Sequence, residues 1–354
     1  MLNQTHEYLA YVPRFPNPLP HAYEPWYLVE REQLLPGLSD KMLLLLSPVV
    51  AYWAFSLFFH VIDNLHWSCF ERYRIHEPEE VTSKNRVTVR EVLVAVFAQH
   101  ALQTLVGYYW LDEEEPTPDH AGDLNWLGAK LARVVLAVAG TKAGGSFMAQ
   151  YGEQATRMLY WYGIPVLRLA WAMIVMDGWQ YMMHRSAHQS TYLYRTIHSW
   201  HHRLYVPYSF GALYNHPLEG FVLDTCGGGL AHELAGLTTR QATLFFIVSM
   251  MKTVDDHCGF AFPWDPLQHL FGNNADYHDI HHQVAGLKKN YSQPWFVSWD
   301  ILFGTRMSRE EFSAKVAKRF DNGEVPLSKV NGPNELAAPP TSERNGVALK
   351  EKVN

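Results

Sequence analysis

Histidines at short, regular spacings are the residues of this chain that could do chemistry. Twelve of its 19 histidines fall between residues 184 and 282. On a helix, residues three or four positions apart share one face, a turn from each other. Eight of the histidines have that spacing and form three groups, each predicted to lie on one helix face: His184 and His188; His198, His201 and His202; and His278, His281 and His282.

These groups predict a metal centre, because neutral imidazole is the commonest metal ligand among side chains. A tetrahedral zinc ion takes at most four ligands, so eight histidines imply two metal ions. Nitrogen ligands suit iron, zinc or copper. Iron with open positions would activate dioxygen, whereas zinc would favour hydrolysis, and the spacing leaves this choice open.

The remaining polar candidates in this region lack the repeated spacing. His257 stands alone, and its position leaves a ligand and a structural role equally open. Three further isolated histidines are predicted to be structural: His216, His232 and His269. Of the carboxylates, only Asp279, flanked by predicted ligands, is expected to accept a hydrogen bond from a ligand imidazole. Three more are expected to be solvated or to cap helices: Asp177, Asp255 and Asp256.

Long apolar stretches predict the elements that must position the histidines. They cover residues 42–62, 92–111 and 158–176, and only the last contains a charged side chain, Arg168. About 20 helical residues cross the roughly 30 Å hydrocarbon core of a bilayer. Over the whole chain 48% of residues are hydrophobic and only 18% are charged. We therefore predict an all-α, multi-span integral membrane protein with a cytosol-facing, histidine-rich di-metal domain.

Composition shifts divide the chain into four predicted parts. The first is an N-terminal arm, and the second holds membrane anchor helices with polar connectors at 63–91 and 112–157. The third contains the histidines, and the fourth is a tail expected to be largely disordered. Their predicted boundaries are 1–40, 41–157, 158–308 and 309–354.

Lysine and arginine residues predict the topology. They are concentrated in the connector 63–91, which the positive-inside tendency places in the cytosol. The histidine groups must meet, so the chain between them should enter and leave the membrane on one side, as a helical hairpin at about 210–254. Of two glycosylation sequons, Asn290 is then predicted to be cytosolic and Asn3 lumenal.

Charge and cysteine content exclude several classes of protein. The net charge is −6, which gives no basic surface for nucleic acid. The three cysteines are odd in number and form no C-x-x-C pair, which argues against a disulfide framework or a thiolate metal site.

The motifs between about 160 and 305 resemble those of the fatty acid hydroxylase superfamily. They read DGWQYMMHRSAH, HSWHHRLYVPYSFGALYNHPLEGFVLDT, KTVDDHCGF, NNADYHDIHHQ and WDILFGT. Within the superfamily, the second and third motifs are most similar to the sphingolipid 4-hydroxylases, also called sphinganine C4-monooxygenases.

This resemblance implies a multi-pass enzyme of the endoplasmic reticulum membrane with a cytosolic active site. It implies two iron ions, dioxygen as oxidant, and electrons from NADPH or NADH through cytochrome b5 and its reductase. It also implies nine ligands, adding His257 to the eight above: His184, His188, His198, His201, His202, His257, His278, His281 and His282.

The expected reaction is hydroxylation of carbon 4 of sphinganine or dihydroceramide, a lipid substrate. The loop that follows the second histidine group is expected to bind its head group, through Tyr205, Tyr208, Tyr214, Asn215 and Glu219.

Three different functions remain open for the same residues. Within the superfamily, the protein could be a C-4 methyl sterol oxidase or sterol desaturase, although those relatives have histidines where this chain has Gln180 and Tyr277. With zinc in place of iron, the site would belong to a di-zinc lipid hydrolase. A histidine-rich metal carrier would bind metal without turnover.

Overall fold

The computed structural model describes residues 8–28, 33–112 and 118–321. Within these ranges two isolated β-bridges occur and no strand, which confirms the predicted all-α class. Fifteen α-helices are described here, in chain order: α1 (Asp40–Leu65), α2 (Ser68–Glu71), α3 (Pro78–Lys84), α4 (Val89–Trp110), α5 (His120–Ala139), α6 (Gly145–Met158), α7 (Ile164–Gln189), α8 (Thr191–Thr196), α9 (Pro217–Gly220), α10 (Gly227–Ala235), α11 (Thr239–Asp256), α12 (Pro266–Leu270), α13 (Ala275–His282), α14 (Ser298–Leu302) and α15 (Arg309–Asp321).

Three helical stretches of the described chain are long and apolar enough to cross a membrane. They are α1, α4 and the stretch His120–Gln189. Helix α1 contains the predicted segment 42–62, α4 contains all but the last residue of 92–111, and the third stretch contains 158–176. Large apolar side chains on α1, including Phe58 and Val61, are more than half exposed, as expected for a surface that faces lipid rather than water. The protein is therefore a membrane protein.

The segment 112–157 differs from the predicted polar connector, because most of it is helical. Helix α5 buries Ala121, Leu124 and Ala132, which recur at helical spacing and so form one apolar face. The chain reverses at Gly140, where φ is +73°, and α6 packs back against α5. Part of the N-terminal arm covers this pair, since the backbone of Phe15 is hydrogen-bonded to the Asn125 side chain.

A helical hairpin lies between the histidine groups, at the place where a membrane hairpin was predicted, although neither of its arms is among the three stretches that could cross a membrane. A helical run from Pro217 to Ala235 includes a π-helical turn, Phe221–Cys226. It ends at Gly236, whose φ of +58° lets the chain turn. Helix α11 then returns, with Thr238 and Gln241 forming a capping box at its start. In this hairpin α10 packs against α7 and α11 against α1, which brings the C-terminus of α11 beside the histidine groups.

The connector 63–91 lies against the histidine-bearing part of the chain. The Ile75 N–H donates to the Gly259 carbonyl, and the Ala261 N–H donates to the Tyr73 carbonyl. Asn85 also pairs with the backbone of Val206 through both ends of its amide. The connector and the histidines are therefore on the same side of the apolar helices, as the topology prediction requires.

The segment predicted as a tail begins with a helix. Helix α15 packs against α13, and Phe312 contributes a buried ring to the core that they share with Ile280. Residues 322–354, the rest of the predicted tail, lie outside the described residues, and so does Asn3.

The Asn290 sequon cannot report the side of the membrane on which it lies. Asn290 is fully buried. Its Nδ2 donates to the carbonyls of Tyr277 and Met307, both at 3.0 Å, and its Oδ1 accepts from the Met307 N–H. A lack of glycan there would follow from burial alone, so the sidedness needs another probe.

Cys69 provides that probe. It is exposed on α2, in the connector 63–91, whereas Cys258 is buried. We expect a membrane-impermeant maleimide to label Cys69 in sealed vesicles whose cytosolic face points outward, because the connector is predicted to be cytosolic. Cys69→Ser should remove this label. Labelling that required permeabilised vesicles would reverse the predicted topology.

Candidate metal centre

All nine predicted histidines converge in two adjacent clusters. In each cluster, ring nitrogens from every member lie within 4.8 Å of one another. The first cluster contains His184, His188, His198, His202 and His281. The second contains His201, His257, His278 and His282. All are buried except His202, which is partly buried.

Each H-x-x-H-H segment contributes two histidines to one cluster and one histidine to the other. The first and last histidines of the segment, four residues apart, go to one cluster, as His198 and His202 do. The middle histidine goes to the other, as His201 does. In the segment that starts at His278, the first and last histidines belong to the second cluster and His281 belongs to the first. The prediction that all three share one face is therefore wrong: neighbouring positions on a helix point about 100° apart, so consecutive histidines face different centres.

Short helical elements position the imidazole rings of the two clusters. The C-terminal end of α7 carries His184 and His188, and a 3₁₀-helix, His198–Arg203, carries the second group. Helix α13 carries the third group, and its start is capped by Asn274, whose side chain accepts from the Tyr277 N–H. His257 immediately follows α11, which explains why its isolated position in the sequence gave no spacing signal.

Outward hydrogen bonds fix the protonation of six of the rings. The Nδ1 atoms of five point at backbone carbonyls, at 2.7 to 3.2 Å: His184 to Tyr291, His201 to Tyr214, His257 to Thr253, His281 to Lys289 and His282 to Leu204. In the sixth, His198 Nδ1 pairs with the Glu219 carboxylate. A carbonyl can only accept, so Nδ1 carries the proton in these rings and Nε2 presents a lone pair.

The inward Nε2 atoms are close together. His188 Nε2 lies 3.0 Å from His281 Nε2 and 2.7 Å from His198 Nε2. In the second cluster, His257 and His282 each lie 3.0 Å from His278 Nε2. Protons cannot serve all of these contacts. The neighbours of His188 and His278 already donate outward through Nδ1, and one proton on the Nε2 of His188 or of His278 could serve only one of its two contacts. A cation within each cluster resolves the repulsion between the lone pairs, and the donor set fits a metal ion.

The rings are neutral, as metal ligands must be. Burial lowers the pKa of His198 to about 3. Burial is also the main cause that lowers the pKa of His201 to about 4, with the neighbouring His198 as a second cause. At neutral pH neither ring competes for its metal with a proton on Nε2.

A pocket lies beside both clusters. His184 and His198 of the first cluster line it, together with His201, His257 and His278 of the second. The rest of its wall comes from α7, from the chain between Ala212 and Asp224, and from α11. It combines apolar and polar side chains: Met176, Ala212 and Leu223, with Gln180, Asn215, Glu219, Asp224, Asp256 and Gln293. The pocket therefore brings residues of both histidine clusters, each of which could hold a metal ion, together with apolar and polar side chains.

Of the five residues predicted to bind the head group, two are among the described residues that line this pocket. Asn215 and Glu219 line it. Tyr205, Tyr208 and Tyr214 are not among the described residues of its wall. The Tyr205 and Tyr214 carbonyls accept hydrogen bonds from Gln283 and His201, and Tyr208 packs against an apolar core with α1 and α4. The tyrosines thus support the ligand elements.

The sequence prediction missed several polar residues of the pocket. Gln180 lies one turn before His184 on α7, so its helical spacing could have revealed it. Its side chain donates to Asp224, at 3.2 Å, and accepts from Gln293, at 2.9 Å. Asp224 and Gln293 lie far away in sequence, and no local pattern marks them.

The expectations for four aspartates are wrong. Three that were expected to be solvated or capping are buried: Asp177, Asp255 and Asp256. Asp177 accepts from the Trp295 and Phe296 N–H groups, because those buried backbone donors need an acceptor within the protein. Asp279 does not meet a ligand imidazole, since its position on α13 points it away from both clusters. Glu219 makes that contact instead.

Asp279 joins three parts of the chain. Its carboxylate lies 2.7 Å from His76 Nε2, in the connector 63–91, and 2.7 Å from an Arg309 nitrogen, at the start of α15. Burial alone would raise the pKa of Asp279, but His76 and Arg309 hold it well below its usual range. Burial would likewise lower the pKa of His76, but Asp279 and Glu80 raise it to about 9. The ligand helix α13 is thus held from both sides by ion pairs.

The histidines predicted to be structural lie outside both clusters. His216 caps the start of α9, where its Nδ1 accepts from the Leu218 N–H, and its ring contacts Trp200. His232 lies within α10 and His269 is exposed on α12. This separation makes His269 a suitable control for the ligand variants below.

The fold and the site together define a class: an all-helical membrane protein with two histidine clusters that could each hold a metal ion. The chain belongs to the fatty acid hydroxylase family. The profile described as fatty acid hydroxylase matches residues 169–305, a range that contains all nine clustered histidines.

Relatives with assigned names agree with this family. The sphingolipid C4-hydroxylase of Saccharomyces cerevisiae is 45% identical over 80% of this chain and 77% of its own length. Sphinganine C4-monooxygenase 1 of Arabidopsis thaliana is 38% identical over 80% of this chain and 97% of its own. Methylsterol monooxygenase 1 of Rattus norvegicus is 32% identical over 46% of this chain and 54% of its own. No solved structure matches the chain.

The two clusters should lose metal separately. We expect purified protein to bind about two metal ions per chain, and His281→Ala or His201→Ala each to release about one, because each removes a ligand from a different cluster. Turnover should fall at least ~100-fold in both variants. Metal analysis of the purified variants measures this, with His269→Ala as the control. Full metal content and activity in either cluster variant would contradict the assignment.

The ion pair of His76 should make stability depend on pH. The pKa of His76 in the folded protein, about 9, is above the ordinary histidine value, so the charge stabilises the fold fully below about pH 6.5 and is lost as the pH rises through 9. We expect His76→Gln to lower the free energy of unfolding by about 1–3 kcal/mol at pH 6 and by much less at pH 10. Denaturant unfolding in detergent measures both values, with His269→Gln as control. An equal deficit at the two pH values would refute the ion pair.

Proposed function

We propose that this protein hydroxylates carbon 4 of a sphingoid base, converting sphinganine or dihydroceramide to phytosphingosine or phytoceramide in sphingolipid biosynthesis. The observation that carries the proposal is the convergence of nine histidines beside a pocket, in a chain whose relatives at 38% and 45% identity are named as enzymes of this reaction. The protein is accordingly an oxidoreductase, a monooxygenase.

The metal ions are proposed to be two irons, one in each cluster. Iron would supply the reduction of dioxygen that the insertion of oxygen into an unactivated C–H bond requires. The overall reaction takes one dioxygen, two electrons and two protons, and it yields the alcohol and one water. Electrons are proposed to come from NADPH or NADH through cytochrome b5 and its reductase, as in the family resemblance.

The protein's own contribution is to hold the ligand rings in place and to orient the substrate beside them. Backbone carbonyls and Glu219 fix the direction of six ligand rings, so the geometry of the clusters is set before substrate arrives. The pocket is buried between α7 and the hairpin, which excludes water from the reacting carbon. Its apolar side chains, Met176, Ala212 and Leu223, suit the hydrocarbon chain, and its polar side chains suit the head group.

The location is proposed to be the endoplasmic reticulum membrane, with the clusters on the cytosolic side. Support comes from the three apolar helical stretches and from the basic connector 63–91, which packs beside the clusters. The lipid substrate could then enter the pocket from the bilayer while the electron donor approached from the cytosol.

The competing functions have less support. A sterol oxidase is disfavoured because the methylsterol relative matches less than half of the chain, and because Gln180 here binds Asp224 instead of offering an imidazole. A di-zinc hydrolase is disfavoured because the first cluster offers five histidines, more than a tetrahedral zinc ion uses. A metal carrier would not need a pocket beside its two clusters.

The origin of the new oxygen tests the reaction. With sphinganine, NADPH and ¹⁸O-labelled dioxygen, membranes containing this protein and its electron donors should form the 4-hydroxylated base with one labelled oxygen. Mass spectrometry of the product measures the label. Membranes with the His281→Ala variant should form at least ~100-fold less product.

Three outcomes would contradict the proposal. Label taken from water instead of dioxygen would indicate hydrolysis or hydration. Oxidation of methyl sterols alone would favour a sterol oxidase. Full activity in protein that contains zinc and no iron would overturn the choice of metal.

A further inference from the structure

The wall of the pocket is acidic on the side formed by the hairpin. Glu219 and Asp224 both line the pocket there, and Gln180 faces them from α7. The π-helical turn Phe221–Cys226 begins two residues after Glu219 and contains Asp224. A π-turn follows i→i+5 hydrogen bonds and is common at functional sites; here it brings two carboxylates, five residues apart in the sequence, to one pocket.

Both carboxylates have an oxygen atom without a partner. Asp224 Oδ1 accepts from Gln180 Nε2, whereas Asp224 Oδ2 is buried and has no hydrogen-bond partner among the described residues. Glu219 Oε1 pairs with His198, whereas Glu219 Oε2 is also buried and unpartnered in the described chain. The Glu219 side chain is only 3% exposed. Leaving a buried acceptor without a donor is unfavourable, so a missing donor is implied.

Asp256, at the end of the return helix α11, also lines the pocket, and both of its oxygens have partners. The buried ammonium of Lys252 forms an ion pair with one oxygen, and the Asn273 side chain donates to the other, at 2.9 Å. Of the described residues that line the pocket, none is a lysine or an arginine. The hairpin wall therefore offers two carboxyl groups that would complement a cation, and no described residue of the wall provides an ammonium for them.

We propose that Asp224, assisted by Glu219 and oriented by Gln180, binds the ammonium group of a free sphingoid base and thereby selects that base over its N-acylated form. This inference rests on the proposed function, and it adds which form of the substrate is used. The amine is on carbon 2, three bonds from carbon 4. Gln180 is one helical turn from the ligand His184, so an amine held beside Asp224 leaves carbon 4 close to the histidines.

N-acylation would remove the basis of this recognition. The amide nitrogen of dihydroceramide is neutral and carries a single proton, so it can donate one hydrogen bond and no charge. Its acyl chain would also have to occupy the space next to Asp224. The same carboxylates that favour the free base should therefore weaken binding of the amide.

The test compares two substrates in one variant. Asp224→Asn retains the shape and removes the charge. We expect kcat/KM for sphinganine to fall at least tenfold more than kcat/KM for N-acetylsphinganine, with the larger part of the change in KM. Asp224→Glu, which restores the charge, should recover part of the sphinganine activity. The matched control is Asp255→Asn, a buried carboxylate that accepts from Gln268 outside the pocket wall; it should change the two substrates by the same factor.

Wild-type protein offers a second measurement that does not depend on a variant that folds. Octadecylamine should inhibit hydroxylation of sphinganine at a concentration at least tenfold below that of octadecanol, because only the amine carries the cation. Equal inhibition by the two, or an equal loss of both substrates in Asp224→Asn, would overturn the ammonium site.

Failure of the proposed function would give a result that differs from failure of the ammonium site. The wild type would then hydroxylate neither sphinganine nor N-acetylsphinganine at carbon 4. Equilibrium binding of the two lipids to purified wild type and to Asp224→Asn would still decide the inference. Tighter binding of sphinganine that disappears in the variant supports the ammonium site, and no preference between the lipids overturns it.

Discussion

The rest of this structure depends on the repulsion between the Nε2 lone pairs of buried imidazole rings, which point at one another. Neutral rings in two clusters place their Nε2 atoms about 3 Å apart, an arrangement that repels unless a cation lies between them. The outward Nδ1 hydrogen bonds prevent the rings from turning away to relieve the repulsion. Each of those bonds needs a backbone carbonyl or a carboxylate at a fixed place, so the loops around the clusters are determined by the rings that they hold.

The surrounding scaffold meets this demand with elements distant in sequence. Helix α13 lies between the connector 63–91 and α15, and the His76–Asp279–Arg309 ion pairs join all three. Asp177, on α7, accepts from the backbone at Trp295 and Phe296 and so fixes the chain that follows α13. These buried charges are paired or hydrogen-bonded, as burial requires. Two carboxylates that each have an unpartnered oxygen among the described residues, Glu219 and Asp224, line the pocket, where a substrate would contact them.

The clusters and the membrane are connected by the same helices. Helix α7 carries its first ligands on the last turns of an apolar stretch, and the hairpin from Pro217 to Asp256 lines the pocket and delivers His257. A lipid in the pocket would therefore contact the helices that hold the metals. Its head group would lie next to the ligands and its chain along the apolar helices, which is the arrangement that regioselective oxidation near the polar end of a lipid requires.

The sequence by itself determined the chemistry and the class of fold. The spacing of the histidines predicted two metal sites, the apolar runs predicted α1 and α4, and the need for both histidine groups on one side predicted the hairpin. These are local patterns of period and length. The tertiary structure decided which histidine serves which cluster. Local helix geometry points His201 and His202 in different directions, but other parts of the chain supply the histidines that each of them meets. It also decided that 120–158 is helical, that the aspartates near the clusters are buried, and that Asp224 rather than the tyrosines faces the pocket. Such outcomes depend on contacts between residues tens to hundreds of positions apart, and no local period encodes them.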